Sequence, residues 1–315
     1  MKNIPSVDLS DFLSDDSKKK EKFINEIGKA YEEIGFVALK GHFLSEELTK
    51  NLYKEVKSFF DLNQATKESY TIEGIGGQRG YTSFGKESAK GKKVGDLKEF
   101  WHFGQEVIGN DKLKAAYPEN VIVKEIPNFN KVGMEAYKNL EKTAIYVLRA
   151  LSLYIGLDEL YFDKYVINGN SILRPIHYPP IQGEPKGAVR AAAHGDINLI
   201  TLLMGASASG LEVQNKQGKW IPVTALPDQL VINVGDMLER LTNNKLRSTI
   251  HRVVNPPREE WGNSRYSIPF FTHPISEMSL NCLPECIDEL RPKVYDDITA
   301  GEFLTERLKD LGLIK

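Results

Sequence analysis

His194 and Asp196 lie two positions apart inside an otherwise apolar run, AAAHGDINLITLLM at 191–204. Residues i and i+2 of a β-strand project from the same face, so a strand here would place an imidazole beside a carboxylate. Such a pair can bind a metal ion, but alone it is weak evidence. A hydrogen-bonded pair at the end of a strand has the same pattern, so further ligands must be sought.

A second histidine, His251, lies in the β-branched stretch RSTIHRVV, 55 residues after Asp196. That interval has room for about four strands, enough to bring the chain back beside its starting point in a small barrel. Two histidines and one carboxylate form the facial triad that binds non-haem Fe(II) and leaves positions open for substrate and dioxygen. A structural zinc site would use four protein ligands instead. The sequence therefore predicts that His194, Asp196 and His251 bind a catalytic iron ion.

Arg265 and Ser267, in RYSIPFF, again share one face of a predicted strand. They follow His251 across a turn marked by Pro256 and Pro257, which places their strand close to the metal strand. A guanidinium and a hydroxyl on one inward face can grip a carboxylate with several hydrogen bonds. The alternative is a salt bridge between Arg265 and a nearby acidic side chain.

Three segments carry apolar residues at the three- and four-residue steps of an amphipathic helix. The first covers about 18–35 and ends at Gly35, and the second opens at Ser45 with a buried stripe that ends at Phe60. The third covers about 131–155 and is stopped by Gly156. Two short strands, at 3–9 and 36–40, accompany these helices.

After about residue 168 the chain becomes a series of eight or so short β-rich runs separated by turn residues. Such spacing is typical of a closed or double-sheet β fold, for example a jelly roll. We expect a mainly β fold with flanking helices (α+β) that forms one structural unit. Its predicted parts are an N-terminal helical and mixed region (1–165), a jelly-roll core (166–280) and a C-terminal tail with a helix (281–315).

The charge, the apolar runs and the cysteine count of the chain argue against several classes of protein. The formal net charge is −2 and the charged residues are interspersed, whereas a nucleic-acid or membrane partner would favour a basic surface. No apolar run approaches the length of a membrane span, and the first residues do not form a signal peptide. Cys282 and Cys286 are too few for a disulfide framework and are expected to be reduced thiols. We expect a cytoplasmic monomer that acts on a small molecule.

The ordered set His194-x-Asp196, His251 and Arg265-x-Ser267 resembles the isopenicillin N synthase-like branch of the Fe(II)/2-oxoglutarate-dependent dioxygenases. The resemblance covers nearly the whole chain. Besides that set, its further segments are IPSVDLS, AYEEIGFVALKGH, LRPIHYPP and VYDDITAGEFLTERL.

The resemblance implies a double-stranded β-helix, with a distorted jelly-roll core, in which the His-Asp-His set binds Fe(II). It implies that Arg265 and Ser267 hold the distal carboxylate of 2-oxoglutarate and that Tyr178 helps to bind this cosubstrate. One position departs from many members of the family. They have asparagine where this chain has Ile176, two residues before Tyr178, and the change removes one polar group near the site.

The implied reaction is the oxidation of a small organic substrate by hydroxylation, desaturation or ring closure. Dioxygen is consumed, 2-oxoglutarate is converted to succinate and CO2, and ascorbate is a candidate reductant. Three residues are predicted to contact the substrate. They are Tyr81 in GQRGY, Phe271 on the same strand face as Arg265, and Leu238 in the turn that follows VINVG.

Three alternatives remain open from the sequence. An oxidase of the same fold would not need 2-oxoglutarate, since isopenicillin N synthase uses the equivalent arginine and serine to bind its substrate's own carboxylate. 1-Aminocyclopropane-1-carboxylate oxidase is another such case. A non-catalytic β-barrel binding protein would hold a structural metal or none. A zinc hydrolase is disfavoured because no general base is apparent beside the histidines.

Overall fold

The computed structural model describes the chain from residue 4 to residue 310 with short gaps, and the helices lie mainly in its first half and at its end. The described residues are 4–86, 95–107, 109, 111–185, 187–204, 210–224, 226 and 228–310. The helices are α1 (Leu9–Phe12), α2 (Ser17–Glu33), α3 (Glu46–Phe60), α4 (Gln64–Glu68), α5 (Asp111–Ala116), α6 (Phe129–Ile155), α7 (Asp163–Val166), α8 (Asp236–Leu241) and α9 (Ala300–Asp310).

The strands are short, and most of them follow α7, where the sequence becomes β-rich. They are β1 (Ser6–Asp8), β2 (Phe36–Lys40), β3 (Gly80–Thr82), β4 (Glu99–Gly104), β5 (Ile172–Leu173), β6 (Ile176–Tyr178), β7 (Ala191–His194), β8 (Ile200–Met204), β9 (Leu211–Gln214), β10 (Trp220–Pro222), β11 (Leu230–Val234), β12 (His251–Val253) and β13 (Arg265–Thr272).

Two sheets form a jelly-roll core. The larger sheet has the order β1-β2-β11-β8-β13-β5-β4-β3, with β6 pairing to both β13 and β4. The smaller sheet has the order β10-β9-β12-β7. Neighbours in the smaller sheet, and β8 with β13 in the larger one, run antiparallel, so strands distant in sequence lie side by side. The predicted mainly β fold with flanking helices and a jelly-roll core is confirmed.

The N-terminal region contributes strands as well as helices to this core. Strand β2 pairs antiparallel with β11, and β4 pairs with β5 and β6. The larger sheet is therefore continuous across the predicted boundary at 165, which falls within α7. The division into 1–165, 166–280 and 281–315 stays a prediction, and its ends at 1–3 and 311–315 lie outside the described residues.

The predicted helices form with small shifts at their ends. Ser45 caps α3 by accepting a hydrogen bond from the backbone N–H of Leu48 at 3.1 Å. Helix α6 ends at Gly156, which has φ of 98° and so occupies the left-handed region that favours glycine. Its inner face packs on the larger sheet, where Tyr137 and Phe270 have ring centroids 5.0 Å apart. Helix α6 therefore covers the face of the larger sheet on which Phe270 lies. The other face of the sheet carries the neighbouring Phe271 and is turned toward the candidate site.

Within the described residues, no helix is long and apolar enough to cross a bilayer. Cys282 and Cys286 are both buried and unbonded to each other, as expected for reduced thiols.

Candidate metal centre and its cavities

Three side chains converge where the smaller sheet faces the larger one. His251 lies directly opposite His194 in the register of β12 and β7, and Asp196 follows two residues after β7 ends. The Nε2 atoms of His194 and His251 lie 3.9 and 3.7 Å from Asp196 Oδ1. One ligand atom from each residue lies within 4.8 Å of the others. The sequence therefore identified residues that the fold brings together, although Asp196 lies just past the strand rather than within it.

The backbone sets both imidazoles in the tautomer that a metal requires. His194 Nδ1 is 2.7 Å from the carbonyl oxygen of Ala192, and His251 Nδ1 is 3.2 Å from that of Thr249. Because a carbonyl oxygen only accepts, each Nδ1 must carry the proton and donate it. In the neutral rings each Nε2 then has a free lone pair, and these atoms are the ones that face Asp196.

The two oxygens of Asp196 have different partners. Oδ2 accepts hydrogen bonds from Thr201 Oγ1 and Asn233 Nδ2, both at 2.7 Å. Oδ1 faces the two imidazoles. Burial alone would raise the pKa of Asp196, but the neighbouring imidazoles and the two hydrogen bonds lower it below its usual value. The carboxylate is thus held ionised with one oxygen directed at the candidate metal position.

His194 is held neutral. Its side chain is 40% exposed and lines both cavities. Burial, together with the neighbouring His251, lowers the pKa of His194 to about 4. At neutral pH no proton therefore has to be displaced from its Nε2 before a cation binds.

This donor set fits Fe(II). Two imidazole nitrogens and one carboxylate oxygen are the ligands of the facial triad, whereas a structural zinc site would have four protein ligands. No other group of three His, Cys, Asp or Glu side chains with this spacing occurs among the residues that the structure describes.

A cavity of about 80 Å³ lies between the two sheets and connects the His-Asp-His cluster to Arg265. Arg265 is 1% exposed, and Tyr178 is its register partner on β6, with the guanidinium carbon 4.9 Å from the tyrosine ring. Ser267 lines the same cavity. The predicted cation, hydroxyl and tyrosine thus line the same cavity as the metal cluster.

The walls of this small cavity are mainly apolar. Ile176 is the register partner of Ser267 and lines the cavity, so the position for which the resemblance implied asparagine is apolar here. The other apolar wall residues are Phe36, Ala191, Leu203, Leu211, Val253, Pro269 and Phe271. Apolar walls exclude water and strengthen the interaction of any bound carboxylate with Arg265.

A second cavity of about 300 Å³ adjoins the cluster from the other side. His194, Asp196, Phe271, Arg174 and Lys98 line both cavities. The further lining residues are Gly76, Gln78, Asp96, His102, Asn170, Ile172, Ala193, Gly195, Ile197, Asn198, Asp236, His273, Leu304, Arg307, Leu308 and Asp310. This larger cavity has room for a small organic molecule beside the cluster.

The three residues predicted to contact substrate lie in different surroundings. Phe271 lines both cavities, as its strand face indicated. Tyr81 is 1% exposed and belongs to the aromatic core, where its hydroxyl is bonded to Glu99. Leu238 is fully buried in the core because the chain enters α8 at this point, and that helix turns it away from both cavities. Of the three residues, Phe271 alone lines these two cavities, and a role for Tyr81 or Leu238 in binding substrate stays a prediction.

Sequence reasoning missed several groups around the cluster. Asp236 is the first residue of α8, lines the larger cavity and donates its backbone N–H to the carbonyl oxygen of Asp196 at 2.7 Å. Thr201 and Asn233, which hold Asp196, are polar residues inside the apolar runs NLITLLM and QLVINVG. Their position on inward strand faces was the signal that could have identified them.

Two family models match the chain. The model described as "non-haem dioxygenase in morphine synthesis N-terminal" matches residues 4–125. The model described as "2OG-Fe(II) oxygenase superfamily" matches residues 169–274. The second match includes all three residues of the cluster and both Arg265 and Ser267.

Curated relatives match along nearly their whole length. A proline hydroxylase (buaE) from Petromyces alliaceus is 30% identical over 97% of this chain and 98% of its own. A 2-oxoglutarate-Fe(II) type oxidoreductase (ppzD) from Metarhizium rileyi is 31% identical over 98% of this chain and 91% of its own.

Solved structures share the fold. A 2OG-Fe(II) oxygenase family protein from Caulobacter crescentus has a TM-score of 0.88 and 42% identity, covering 98% of this chain and 99% of its own. A full-length protein from Neurospora crassa, solved in complex with alpha-KG and thymine, has a TM-score of 0.85 and 29% identity, covering 97% of this chain and 96% of its own.

Proposed function

The chain belongs to the 2OG-Fe(II) oxygenase superfamily and is a 2-oxoglutarate-dependent Fe(II) oxygenase, and we propose that His194, Asp196 and His251 hold its iron ion. The observation that carries this proposal is that the two imidazoles and the Asp196 carboxylate each offer a ligand atom, all within 4.8 Å of one another. When bound, Fe(II) supplies the activation of dioxygen that couples oxidation of the substrate to conversion of 2-oxoglutarate into succinate and CO2.

The protein's part is to fix the ligands. The carbonyl oxygens of Ala192 and Thr249 set the imidazole tautomers, and Thr201 and Asn233 orient Asp196. Such partners of metal ligands fix their orientation and raise their basicity. A metal ion held by these three ligands would keep coordination positions open for the cosubstrate and dioxygen.

The small cavity is proposed to bind 2-oxoglutarate. Arg265 and Ser267 would hold the distal carboxylate, with the Tyr178 ring packed against the guanidinium. The keto-acid end would then reach the metal cluster, which lines the same cavity. Support comes from the donor set, since a guanidinium and a hydroxyl on one strand face match the geometry of a carboxylate.

The larger cavity is proposed to bind the prime substrate, a small organic molecule, with Phe271 as one wall. Thymine in the Neurospora crassa complex and proline in the name of the Petromyces alliaceus hydroxylase are both compact molecules. A cavity of about 300 Å³ suits a substrate of that size. The assignment to the isopenicillin N synthase-like branch, a cytoplasmic location and a monomeric state stay predictions.

Succinate release in the presence of Fe(II) and dioxygen tests this function. The wild-type protein is expected to convert 2-oxoglutarate to succinate slowly without a prime substrate and faster with one, whereas Asp196→Ala produces none. An oxidase that does not use 2-oxoglutarate would consume dioxygen with a substrate but release no succinate. Absence of succinate under every condition, with Fe(II) bound, would contradict the proposal.

A further inference from the structure

A second group of polar side chains lies on the other face of the strands that carry Arg265 and Tyr178. Glu99 of β4, His177 of β6 and Tyr266 of β13 are register partners across three neighbouring strands. Side chains alternate along a strand, so His177 and Tyr266 point away from the face that carries Tyr178 and Arg265. Glu99, His177 and Tyr266 line neither of the cavities beside the metal cluster.

Glu99 is a buried carboxylate that is held ionised. It is 3% exposed, and its oxygens accept from Lys67 Nζ at 2.8 and 3.1 Å and from the Tyr81 hydroxyl. His177 Nδ1 lies 2.7 Å from Glu99 Oε1. Burial alone would raise the pKa of Glu99, but the hydrogen bonds from His177, Lys67 and Tyr81 lower it below its usual value. Because an ionised carboxylate only accepts, it fixes a proton on His177 Nδ1.

This tautomer turns the other ring nitrogen of His177 toward a serine. His177 Nε2 lies 3.0 Å from Ser264 Oγ, and in the neutral ring it can take the hydroxyl proton of Ser264. The Tyr266 hydroxyl is also hydrogen-bonded to Ser264. The Tyr266 ring stacks on the imidazole, with 4.8 Å between the ring centroids and 13° between the planes. The imidazole is thereby fixed between the serine and the carboxylate.

The burial of these groups follows the order that nucleophilic catalysis needs. Glu99 and His177 are buried, whereas Ser264 is half-buried and follows the exposed residues Gly262 and Asn263. A nucleophile within reach of solvent, a base behind it and a carboxylate that orients the base are the parts of an activated serine. A structural network would satisfy the same hydrogen bonds without making the serine reactive. The reactivity of Ser264 therefore distinguishes the two interpretations.

We propose that Ser264, His177 and Glu99 form a second reactive centre, which transfers short acyl groups from activated esters to water. Ser264 Oγ attacks the acyl carbon while His177 Nε2 takes its proton and passes it to the leaving oxygen as the ester C–O bond breaks. Water, deprotonated in the same way, attacks the acyl-serine, releases a carboxylic acid and restores the serine hydroxyl. No electrons are exchanged, so neither step needs an oxidant or the metal cluster.

Acetylation by p-nitrophenyl acetate, located by mass spectrometry of the digested protein, tests the proposal. Ser264 is expected to be acetylated about 100-fold faster than Ser279, an exposed serine whose hydroxyl accepts from the backbone N–H of Asn281. Release of p-nitrophenolate by Ser264→Ala should fall to the chemical background, while the matched control Ser279→Ala keeps the wild-type rate. Absence of acetyl on Ser264, or equal release by the two alanine variants, overturns the proposal.

The part of His177 is tested by removing the base. His177→Gln keeps a group that can hydrogen-bond to Glu99, and the acetylation rate of Ser264 should fall by about 100-fold. Because this substitution is buried and can disturb the fold, the wild-type rate in D2O gives a second measurement. Acetylation should be slower in D2O than in H2O, since the serine proton moves as the acyl bond forms. An unchanged rate in a folded His177→Gln protein, or equal rates in the two solvents, overturns the proposal.

The metal separates this inference from the proposed function. Acetylation of Ser264 should be the same with and without Fe(II) and 2-oxoglutarate, because the two centres share no side chain. Loss of the acetylation when the metal is chelated would assign the reactivity to the metal cluster and overturn the inference. A wild-type protein that releases no succinate contradicts the proposed function instead, whatever happens at Ser264.

Discussion

His251 lies directly opposite His194 across the β7–β12 ladder, with the two ring centroids 4.5 Å apart. Asp196 completes the cluster from the turn that follows β7. If this pairing creates an iron site, removing any one ligand leaves only two and should weaken Fe(II) binding by about 100-fold or more, since partners of ligands alone contribute about 10- to 100-fold. Anaerobic Fe(II) titration of His194→Ala and His251→Ala measures the loss. His42→Ala, outside the cluster, is the control and should bind like wild type.

Thr201 offers a subtler test because it touches the ligand and not the metal. Thr201→Val keeps the shape of the side chain but removes the 2.7 Å hydrogen bond to Asp196 Oδ2. The dissociation constant for Fe(II) should rise by about tenfold while the fold is retained. Thr305→Val, which removes an exposed hydroxyl on α9, is the control. Identical Fe(II) affinities for the two valine variants would mean that Thr201 does not orient the carboxylate.

Arg265 should govern the affinity for 2-oxoglutarate and leave the metal untouched. Arg265→Met removes a buried cation and its charge-assisted hydrogen bonds, so the KM for 2-oxoglutarate should rise by about 100-fold. Ser267→Ala should raise it by less, about fivefold, because a neutral hydroxyl is lost. Fe(II) titration of both variants should match wild type. The control is Arg258→Met, which changes an exposed arginine that pairs with Glu184 and lines neither cavity. A KM that changes no more in Arg265→Met than in this control would remove Arg265 from the cosubstrate site.

Glu239, on α8, should make the free energy of unfolding depend on pH. Burial raises its pKa from 4.5 to about 7, while its side chain accepts from the backbone N–H of Ser248 at 3.0 Å. The folded state favours the protonated acid, so this group costs nothing below about pH 4.5. The cost grows as pH rises and is complete above about pH 7.

Glu239→Gln keeps the acceptor for Ser248 and removes the charge. The variant should match wild type near pH 4 and be more stable by about 1–2 kcal/mol at pH 8, since one pKa unit corresponds to about 1.4 kcal/mol and partial exposure of the side chain screens part of the effect. Urea unfolding at the two pH values gives the difference. A difference that does not grow with pH would show that the carboxyl is not held in its acidic form.

The helices could be predicted from the sequence, because the signals that define them lie within a few neighbouring residues. The apolar period of α2, α3 and α6 and the Ser45 cap depend on neighbours within a few residues, and each helix ends within about two or three residues of the predicted position. The cluster of His194, Asp196 and His251 could be predicted because coordination chemistry restricts the residue types. Their spacing also matched the return of the chain through a small barrel.

Contacts between strands and helices that are far apart in the sequence could not be predicted in the same way. Whether Tyr81 or Leu238 faces a cavity depends on which sheet or helix covers it, and α8 turned Leu238 inward where a turn had been expected. The guanidinium of Arg174 contacts the rings of Phe100 from β4 and Phe271 from β13, which are distant in sequence. The N-terminal strands join the core sheet through backbone hydrogen bonds, which leave little trace in side-chain pattern.

The crystal structure of the protein soaked anaerobically with Fe(II) and 2-oxoglutarate tests the central claim most directly. It should show one metal ion bound by His194 Nε2, His251 Nε2 and Asp196 Oδ1. The distal carboxylate of 2-oxoglutarate should lie against Arg265 and Ser267, with its keto-acid end at the metal. A metal bound elsewhere, or 2-oxoglutarate placed in the larger cavity away from Arg265, would contradict the account.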